Sequence, residues 1–172
     1  MPLTKLNSAS VIERLPVGSV LQTVNVQVDT RVLKSSTSWE DTGLFTLTFP
    51  NALQSNSKVL GTIYATLGEV VNNGWGSATY LTLYENSTNK GHATYGIVNG
   101  NAQMTGNNPY TYYECNRLVG QLLFTPSVTN GTYKLYVKSG ISYDKSIGGI
   151  ALTSDVVAPT GATQMTLEEI KQ

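Results

Sequence analysis

The sequence predicts an all-β fold, an antiparallel β-sandwich or jelly roll with an extended N-terminal arm. Three observations support this prediction. Apolar and polar residues alternate with a period of two in about eight to ten short segments, turn signals separate these segments, and none shows a convincing helical period. The chain has 172 residues, enough for about one domain with a sizeable core.

Charged residues are scarce in this chain. They make up 13% of it, about half of the usual share, and the formal net charge is zero. This balance indicates no nucleic-acid partner and no anionic membrane surface. A surface with little charge also does little to oppose self-association. The composition therefore favours a protein that functions within an assembly.

The N-terminal segment resembles neither a secretory signal nor a membrane span. Lys5, Glu13 and Arg14 interrupt its apolar residues, and no segment of the chain reaches the roughly 20 apolar residues that span a bilayer. The sequence therefore predicts synthesis in a cytoplasm and no membrane partner.

Residues 1–17 are predicted to form an extended anchoring arm, and residues 18–172 a single β-sandwich domain. Pro2 and Pro16 oppose a long helix in the arm. Its apolar residues keep no period and would anchor it to the same domain, a neighbouring subunit or a partner. These partner-binding residues are Leu3, Leu6, Val11, Ile12 and Leu15.

The first half of the domain contains four predicted strands. Residues 20–28 alternate most clearly, with Val20, Val24, Val26 and Val28 on one face. Residues 44–49 point Phe45, Leu47 and Phe49 inward and end before Pro50. Residues 58–70 and 78–85 follow, with inward rows of Val59, Ile63, Ala65 and Leu67 and of Leu81 and Leu83.

The second half is predicted from the same alternation. Residues 92–98 form a strand, and the polar, glycine-bearing residues 99–109 form the best candidate for an exposed functional loop. Residues 110–124 supply one or two strands. Asn130 and Gly131 then predict a hairpin to a return strand with Tyr133, Leu135 and Val137 inward. Residues 141–152 form a weaker strand.

The C-terminal residues 163–171 fit two structures. Thr166 and Glu169 have the spacing of a helix-capping box. Met165 and Leu167 also alternate with polar neighbours as in a strand, and we favour the strand.

Residues for catalysis are few, and we expect no enzyme, no cofactor and no metal site. His92 is the only histidine and Cys115 the only cysteine, which excludes an intrachain disulfide and a cysteine-based metal cage. No G-x-S-x-G sequence surrounds a serine. A polysaccharide depolymerase remains the open alternative, because distant carboxylates can converge in the folded chain.

Aromatic residues are the remaining candidates for binding. They could form a stacking surface for sugars or a subunit interface, or they could be tyrosines at the edge of the core with wet hydroxyls. The candidates are Trp75, Tyr80, Tyr84, Tyr110, Tyr112 and Tyr113.

Two stretches of the sequence match a familiar pattern. LPVGSVLQTV precedes TSWEDTGLFTLTFPNALQSNSKVLGTIYATLGE, and the chain opens with MPLTKLN and closes on TLEEI. In this order of parts, the chain resembles small β-sandwich modules of tailed-phage virions, especially those of marine and cyanobacterial phages. The resemblance covers the first third of the chain and its last residues, while the middle departs from the pattern.

The resemblance implies a virion structural protein without enzymatic activity. Such modules occur in tail fibres, appendages and capsid decorations. Because the chain has one domain, an arm and no fibrous shaft, we expect a capsid decoration or cement protein that forms a homotrimer and binds other virion proteins through its arm. The alternative is a receptor-binding protein of a tail fibre or appendage that recognises host glycans.

Overall fold

The computed structural model describes residues 15–29, 32–33, 36–71, 77–102, 112–139, 147–150 and 162–172. The described residues contain strands and no helix. The strands are β1 (Val20–Val28), β2 (Val32–Leu33), β3 (Glu40–Thr48), β4 (Lys58–Val71), β5 (Ser77–Glu85), β6 (Thr88–Asn89), β7 (Val98–Ala102), β8 (Tyr112–Phe124), β9 (Thr132–Ser139), β10 (Ile147–Ile150) and β11 (Thr163–Ile170).

The strands form two antiparallel sheets. In sheet A, β4 pairs with β8 along one side and with β11 and then β10 along the other, β1 lies beyond β11, and β2 lies beyond β10. In sheet B the order is β3, β9, β5, and the far side of β5 pairs with β6 and β7. The predicted all-β sandwich is confirmed.

The order of pairing identifies the kind of sandwich. The pairs β1 with β11, β3 with β9, β4 with β8 and β5 with β7 are nested in the sequence. Successive pairs alternate between sheet A and sheet B. A long antiparallel hairpin rolled onto itself has this arrangement, which is the double-sheet jelly roll.

The core lies between the inner faces of the two sheets. Alternate residues of β4, β5, β9 and β11 point into it, as their period of two predicts. The largest fully buried side chains are Tyr133, Phe45, Ile63, Leu81, Leu83, Leu135, Met165 and Leu167. The predicted inward rows of β3 and β9 are confirmed, and the C-terminal segment is a strand.

The predicted valine face of β1 is correct except at its start. The register shifts between Val20 and Gln22, so one residue more lies on β1 than on its partner β11. A bulge of this kind changes which residues face the core. Val20 is therefore exposed, while Val24, Val26 and Val28 pack against the core.

The hairpin predicted at Asn130 and Gly131 is wrong. The strand before this turn, β8, belongs to sheet A, and the strand after it, β9, belongs to sheet B. Neither turn residue has the positive φ that a tight Asn-Gly hairpin requires. The connection crosses the end of the sandwich instead, because each strand finds a longer antiparallel partner elsewhere.

The strand predicted at residues 92–98 is also wrong. His92 and Gly96 form an isolated bridge that closes a tight loop, with Gly96 at φ 66°. Glycine adopts this φ without strain, so the loop can reverse where an alternating pattern predicted extension. The next strand, β7, therefore occupies residues 98–102, the first part of the predicted loop 99–109.

Candidate functional site

One end of the sandwich is closed around the carboxylate of Glu85. This side chain is only 1% exposed, because it continues the inward row of Leu81 and Leu83. Lys90 Nζ lies 2.7 Å from Oε2, and the Ser127 backbone N–H donates to both carboxylate oxygens, at 3.1 and 2.8 Å. The Tyr133 hydroxyl donates to Oε1 over 3.2 Å. The carboxylate thus connects three separate segments of the chain.

These contacts shift the acidities of both partners. Burial opposes ionisation of Glu85, but the hydrogen bonds from Lys90 and Ser127 and the charge of Lys90 outweigh it and lower the pKa of the carboxyl group. Burial, the negative charge of Glu85 and the hydrogen bond to it raise the pKa of Tyr133 well above its usual value. At neutral pH the pair is therefore a carboxylate and a phenol.

A second buried carboxylate, Glu169, lies at the same end. It is 2% exposed and continues the inward row of β11. Its Oε1 accepts hydrogen bonds from the Gln54 backbone N–H and the Ser57 hydroxyl, both at 2.6 Å, and its Oε2 accepts one from Gln22 Nε2 at 2.7 Å. Glu169 thus fastens the connection between β3 and β4 to the end of β1.

Both carboxylate oxygens of Glu85 and of Glu169 accept hydrogen bonds from donor groups of the protein. Glu169 holds the connection between β3 and β4, and Glu85 holds the connection between β8 and β9. A backbone hydrogen bond of 2.9 Å, from the Leu53 N–H to the Thr129 carbonyl, joins these two connections. This end of the jelly roll is therefore a rigid base. Within the described part of the chain, no three His, Cys, Asp or Glu side chains come together as a metal site would need, and no helix is long and apolar enough to span a membrane.

The outer face of sheet A carries a group of apolar side chains, which we name the apolar patch: the half-buried Leu60 and the exposed Tyr64, Val119 and Leu123. Leu60 pairs with Leu123, and Tyr64 with Val119, across β4 and β8. Val119 is 61% exposed, Leu123 50% and Tyr64 48%. Cross-strand neighbours on one face lie about 5 Å apart, so the two members of each apolar pair are adjacent. The hydrogen-bonded pair of Gln121 and Thr62 lies between these two apolar pairs.

A shallow cleft borders the apolar patch. It encloses about 300 Å³ and is lined by Tyr64, Thr66, Arg117, Val119 and Ala162, among others. β8 pairs only with β4 among the described strands, so the patch and the cleft lie at an edge of sheet A. Exposed apolar side chains on a long edge strand favour association with another chain.

The chain enters the domain beside the end of β11. Lys171 Nζ donates to the Leu15 carbonyl at 2.6 Å, and the Gly18 N–H donates to the Lys171 carbonyl at 2.8 Å. Of the arm residues predicted from sequence, Leu15 lies here, while Leu3, Leu6, Val11 and Ile12 lie outside the described residues. The role of the arm stays a prediction.

The outer face of sheet B carries a second group of side chains, which we name the aromatic surface: Trp39, Tyr80, His92, Tyr95 and Lys138. Lys138 Nζ lies 4.7 Å from the centre of the Trp39 ring and 5.3 Å from that of Tyr80. The Tyr80 and Tyr95 rings are 6.2 Å apart, and Tyr95 stacks on His92 at 5.0 Å. A further stacked pair, Tyr84 and Tyr136, lies along the same face with ring centres 3.9 Å apart.

The predicted aromatic candidates do not form one group. Tyr80 belongs to the aromatic surface and Tyr84 to the neighbouring stacked pair. Trp75 and Tyr110 lie outside the described residues, and of Tyr112 and Tyr113 only the backbone in β8 is described. Sequence reasoning missed Trp39, and it also missed Tyr95, which lies within the predicted strand 92–98.

The fold and its surfaces define this chain as a double-sheet jelly-roll domain with one rigid end and two exposed faces rich in apolar or aromatic groups. No protein-family model matches the chain, and no curated protein sequence matches it either. Solved structures with some likeness exist. Dimeric latent PorU from Porphyromonas gingivalis is 12% identical with a TM-score of 0.40, covering 91% of this chain and 14% of that one.

Structures of infectious bursal disease virus are also similar. The Gx strain is 10% identical with a TM-score of 0.35, and the VP2 subviral particle is 14% identical with a TM-score of 0.34. This chain spans 40% and 42% of the length of those chains, respectively, while 88% and 89% of it are covered. The jelly-roll assignment rests on the strand pairing of this chain itself.

Proposed function

We propose that this chain is a structural protein of a tailed-phage virion, without enzymatic activity, that decorates or cements the capsid as a homotrimer. The observation that carries the proposal is the apolar patch at the β8 edge of sheet A. It occurs on a chain with few charges, and it lies on the same sheet as β1, the strand that follows the arm.

The size of the apolar patch indicates how it would be used. Exposed apolar surface of a few hundred Å² is typical of an interaction site. A specific interface buries about 800 Å² on each partner, which is more than four side chains supply. The patch alone therefore does not supply a full interface, and the arm, with its five apolar anchors, adds a second contact with another virion protein.

The geometry permits the arm to reach such an interface. Val20, next to the arm, pairs with Ile170, which pairs with Lys58 on the strand of Leu60. Strands in a sheet are about 4.8 Å apart, so the patch begins roughly 10 to 15 Å from the start of β1. Fourteen extended residues span up to about 46 Å. The arm is therefore long enough to pass the patch of its own copy and bind a neighbour.

The proposed mechanism is burial of apolar surface repeated across a symmetric particle. Each contact is weak alone, but three copies joined to each other bind the capsid with three arms at once. The protein is made in the host cytoplasm and located in the virion. The rigid base keeps each copy a fixed block, so little conformational freedom is lost on assembly.

Deletion of residues 1–14 tests the role of the arm. Residues 15–19, with their backbone contacts to Lys171, remain, so the truncated domain is expected to fold. Phage propagated with the truncated gene should lack the protein in purified particles, as measured by quantitative mass spectrometry. Lys5→Ala, which keeps every apolar anchor, is the matched control and should incorporate normally. Normal incorporation of the truncated chain would show that the arm is not the anchor.

Antibody labelling of particles separates the capsid role from the alternative tail role. A cement protein predicts label on the head and particles that lose heat resistance when the protein is absent. Label on the tail alone would replace the capsid proposal by the tail-fibre or appendage receptor-binding protein.

A further inference from the structure

We propose that the aromatic surface on sheet B is a binding site for an acidic saccharide, with Lys138 as the partner of its carboxylate. This inference does not depend on the virion role proposed above. It rests on three features of the site: a cation with no acidic partner among the described residues, aromatic rings on several sides of that cation, and a rigid loop that holds one of those rings in solvent.

Lys138 is the only lysine of sheet B's outer face whose charge has no acidic partner among the described residues. On the same strand, Lys134 forms an ion pair with Asp41 at 2.7 Å. The described contacts of Lys138 Nζ are with the faces of Trp39 and Tyr80. Ring faces attract a cation but do not neutralise it. The ammonium group is thus held in place and remains available to an anion.

The loop of residues 91–96 is preorganised. Trp39 Nε1 donates to the Ala93 carbonyl at 2.8 Å, and His92 Nδ1 accepts hydrogen bonds from the backbone N–H groups of Thr94 and Tyr95, both at 3.1 Å. At Gly96 an added Cβ would collide with the Leu81 carbonyl and the Trp39 ring. The loop can therefore pack this closely only with glycine at this position.

The rigid loop displays Tyr95 beside the cation. Tyr95 is 56% exposed although its ring stacks on His92 and approaches Tyr80. A large aromatic side chain held in solvent by a rigid loop loses little entropy when a ligand covers it. Because His92 Nδ1 is an acceptor, the ring proton of the neutral imidazole lies on Nε2, which adds a donor at the margin of the site.

This combination of groups fits an acidic sugar. The C–H face of a pyranose packs on an aromatic ring, its hydroxyls bond to phenol and imidazole groups, and its carboxylate pairs with an ammonium ion. The site lies on an open sheet face, so a chain of several sugar residues can lie across it. An acidic peptide would use the same cation but has no repeating apolar ring face to cover Tyr80 and Tyr95.

Isothermal titration of the full chain with a galacturonate hexasaccharide tests the proposal. The neutral galactose hexasaccharide and a hexaglutamate peptide are the comparison ligands. We expect binding of the acidic saccharide, at least about tenfold weaker binding of the neutral one, and weaker binding at higher salt concentration. Equal affinity for the two saccharides, no binding of either, or preference for the peptide would overturn it.

Variants locate the site. Lys138→Gln should weaken binding of the galacturonate hexasaccharide about tenfold, and Tyr95→Ala about fivefold. Both residues are on the surface, and thermal unfolding checks that the variants remain folded. Val128→Ala shortens an exposed apolar side chain outside both surfaces and is the matched control, with unchanged affinity expected. Binding that is lost in Val128→Ala and kept in Lys138→Gln would contradict the assignment.

Discussion

The hydroxyl of Tyr133 donates a hydrogen bond to Glu85 Oε1 over 3.2 Å, inside the closed end of the jelly roll. Each residue is at most 1% exposed. A carboxylate in such a place is stable only with donors around it, because an unpaired buried charge is strongly unfavourable. Glu85, at the end of β5, therefore holds two connections in place, the one after β6 through Lys90 and the one between β8 and β9 through Ser127.

Replacement of Glu85 by Gln should destabilise the protein by about 3 kcal/mol, since it leaves the ammonium group of Lys90, a side chain only 10% exposed, without its counter-ion. Urea unfolding followed by fluorescence measures the change. Asp41→Asn is the matched control, because its ion pair with Lys134 is partly exposed and screened by solvent, so that the loss of stability should be much smaller. Similar losses in both variants would refute the role given to Glu85.

Stability should fall at both ends of the pH range. The pKa of Glu85 is lower in the folded protein than its ordinary value of 4.5, so its contribution is present above that pH and lost as the pH falls through the folded pKa. The pKa of Tyr133 is raised above its ordinary value of 10.0, so its contribution is lost as the pH rises beyond 10.0.

The free energy of unfolding, measured at a series of pH values, checks both directions. Tyr133→Phe should reduce the alkaline loss more than the acid loss, while Glu85→Gln should reduce both, because the charge of Glu85 also raises the pKa of Tyr133. Part of the alkaline loss should remain in Tyr133→Phe, because burial and the charge of Tyr136 also raise the pKa of Tyr84. An alkaline profile identical to that of the wild type would contradict the assignment to Tyr133.

Two glycines with positive φ should respond differently to Ala. Gly43 has φ 76° and open space around it, so Gly43→Ala should lower the free energy of unfolding by only about 1 kcal/mol. Gly96→Ala adds a collision with the Leu81 carbonyl to the same backbone strain and should lower it by about 3 kcal/mol or more. Equal losses in urea unfolding would show that the 91–96 loop is less tightly packed than described.

The period of two in the sequence was enough to predict the sandwich and most of its core. Glu85 and Glu169 are in phase with inward leucines, but alternation alone does not show whether a glutamate at a strand end meets donors or solvent. The donors come from residues up to 147 positions away, as with Gln22 and Glu169. Such partners depend on the rolled topology, which local patterns do not specify.

The two surfaces differ in whether the sequence carries a signal that could have identified them. Leu60 and Tyr64 are out of phase with the inward row of β4, a signal that could have identified the apolar patch. The aromatic surface had no such signal, because the loop 91–96 alternates like a strand. Its reversal depends on Gly96 fitting against Leu81 and Trp39, and these contacts are distant in sequence.

The apolar patch provides the most direct test of the central claim that this chain is built to assemble. Sedimentation velocity of the full chain should show a trimer at micromolar concentration, and Val119→Glu combined with Leu123→Glu should give a folded monomer, because two charges would have to be buried in the interface. Val128→Glu changes an exposed valine outside the patch and should leave the trimer intact. A wild-type chain that stays monomeric at high concentration, or a double variant that associates like the wild type, would contradict the account.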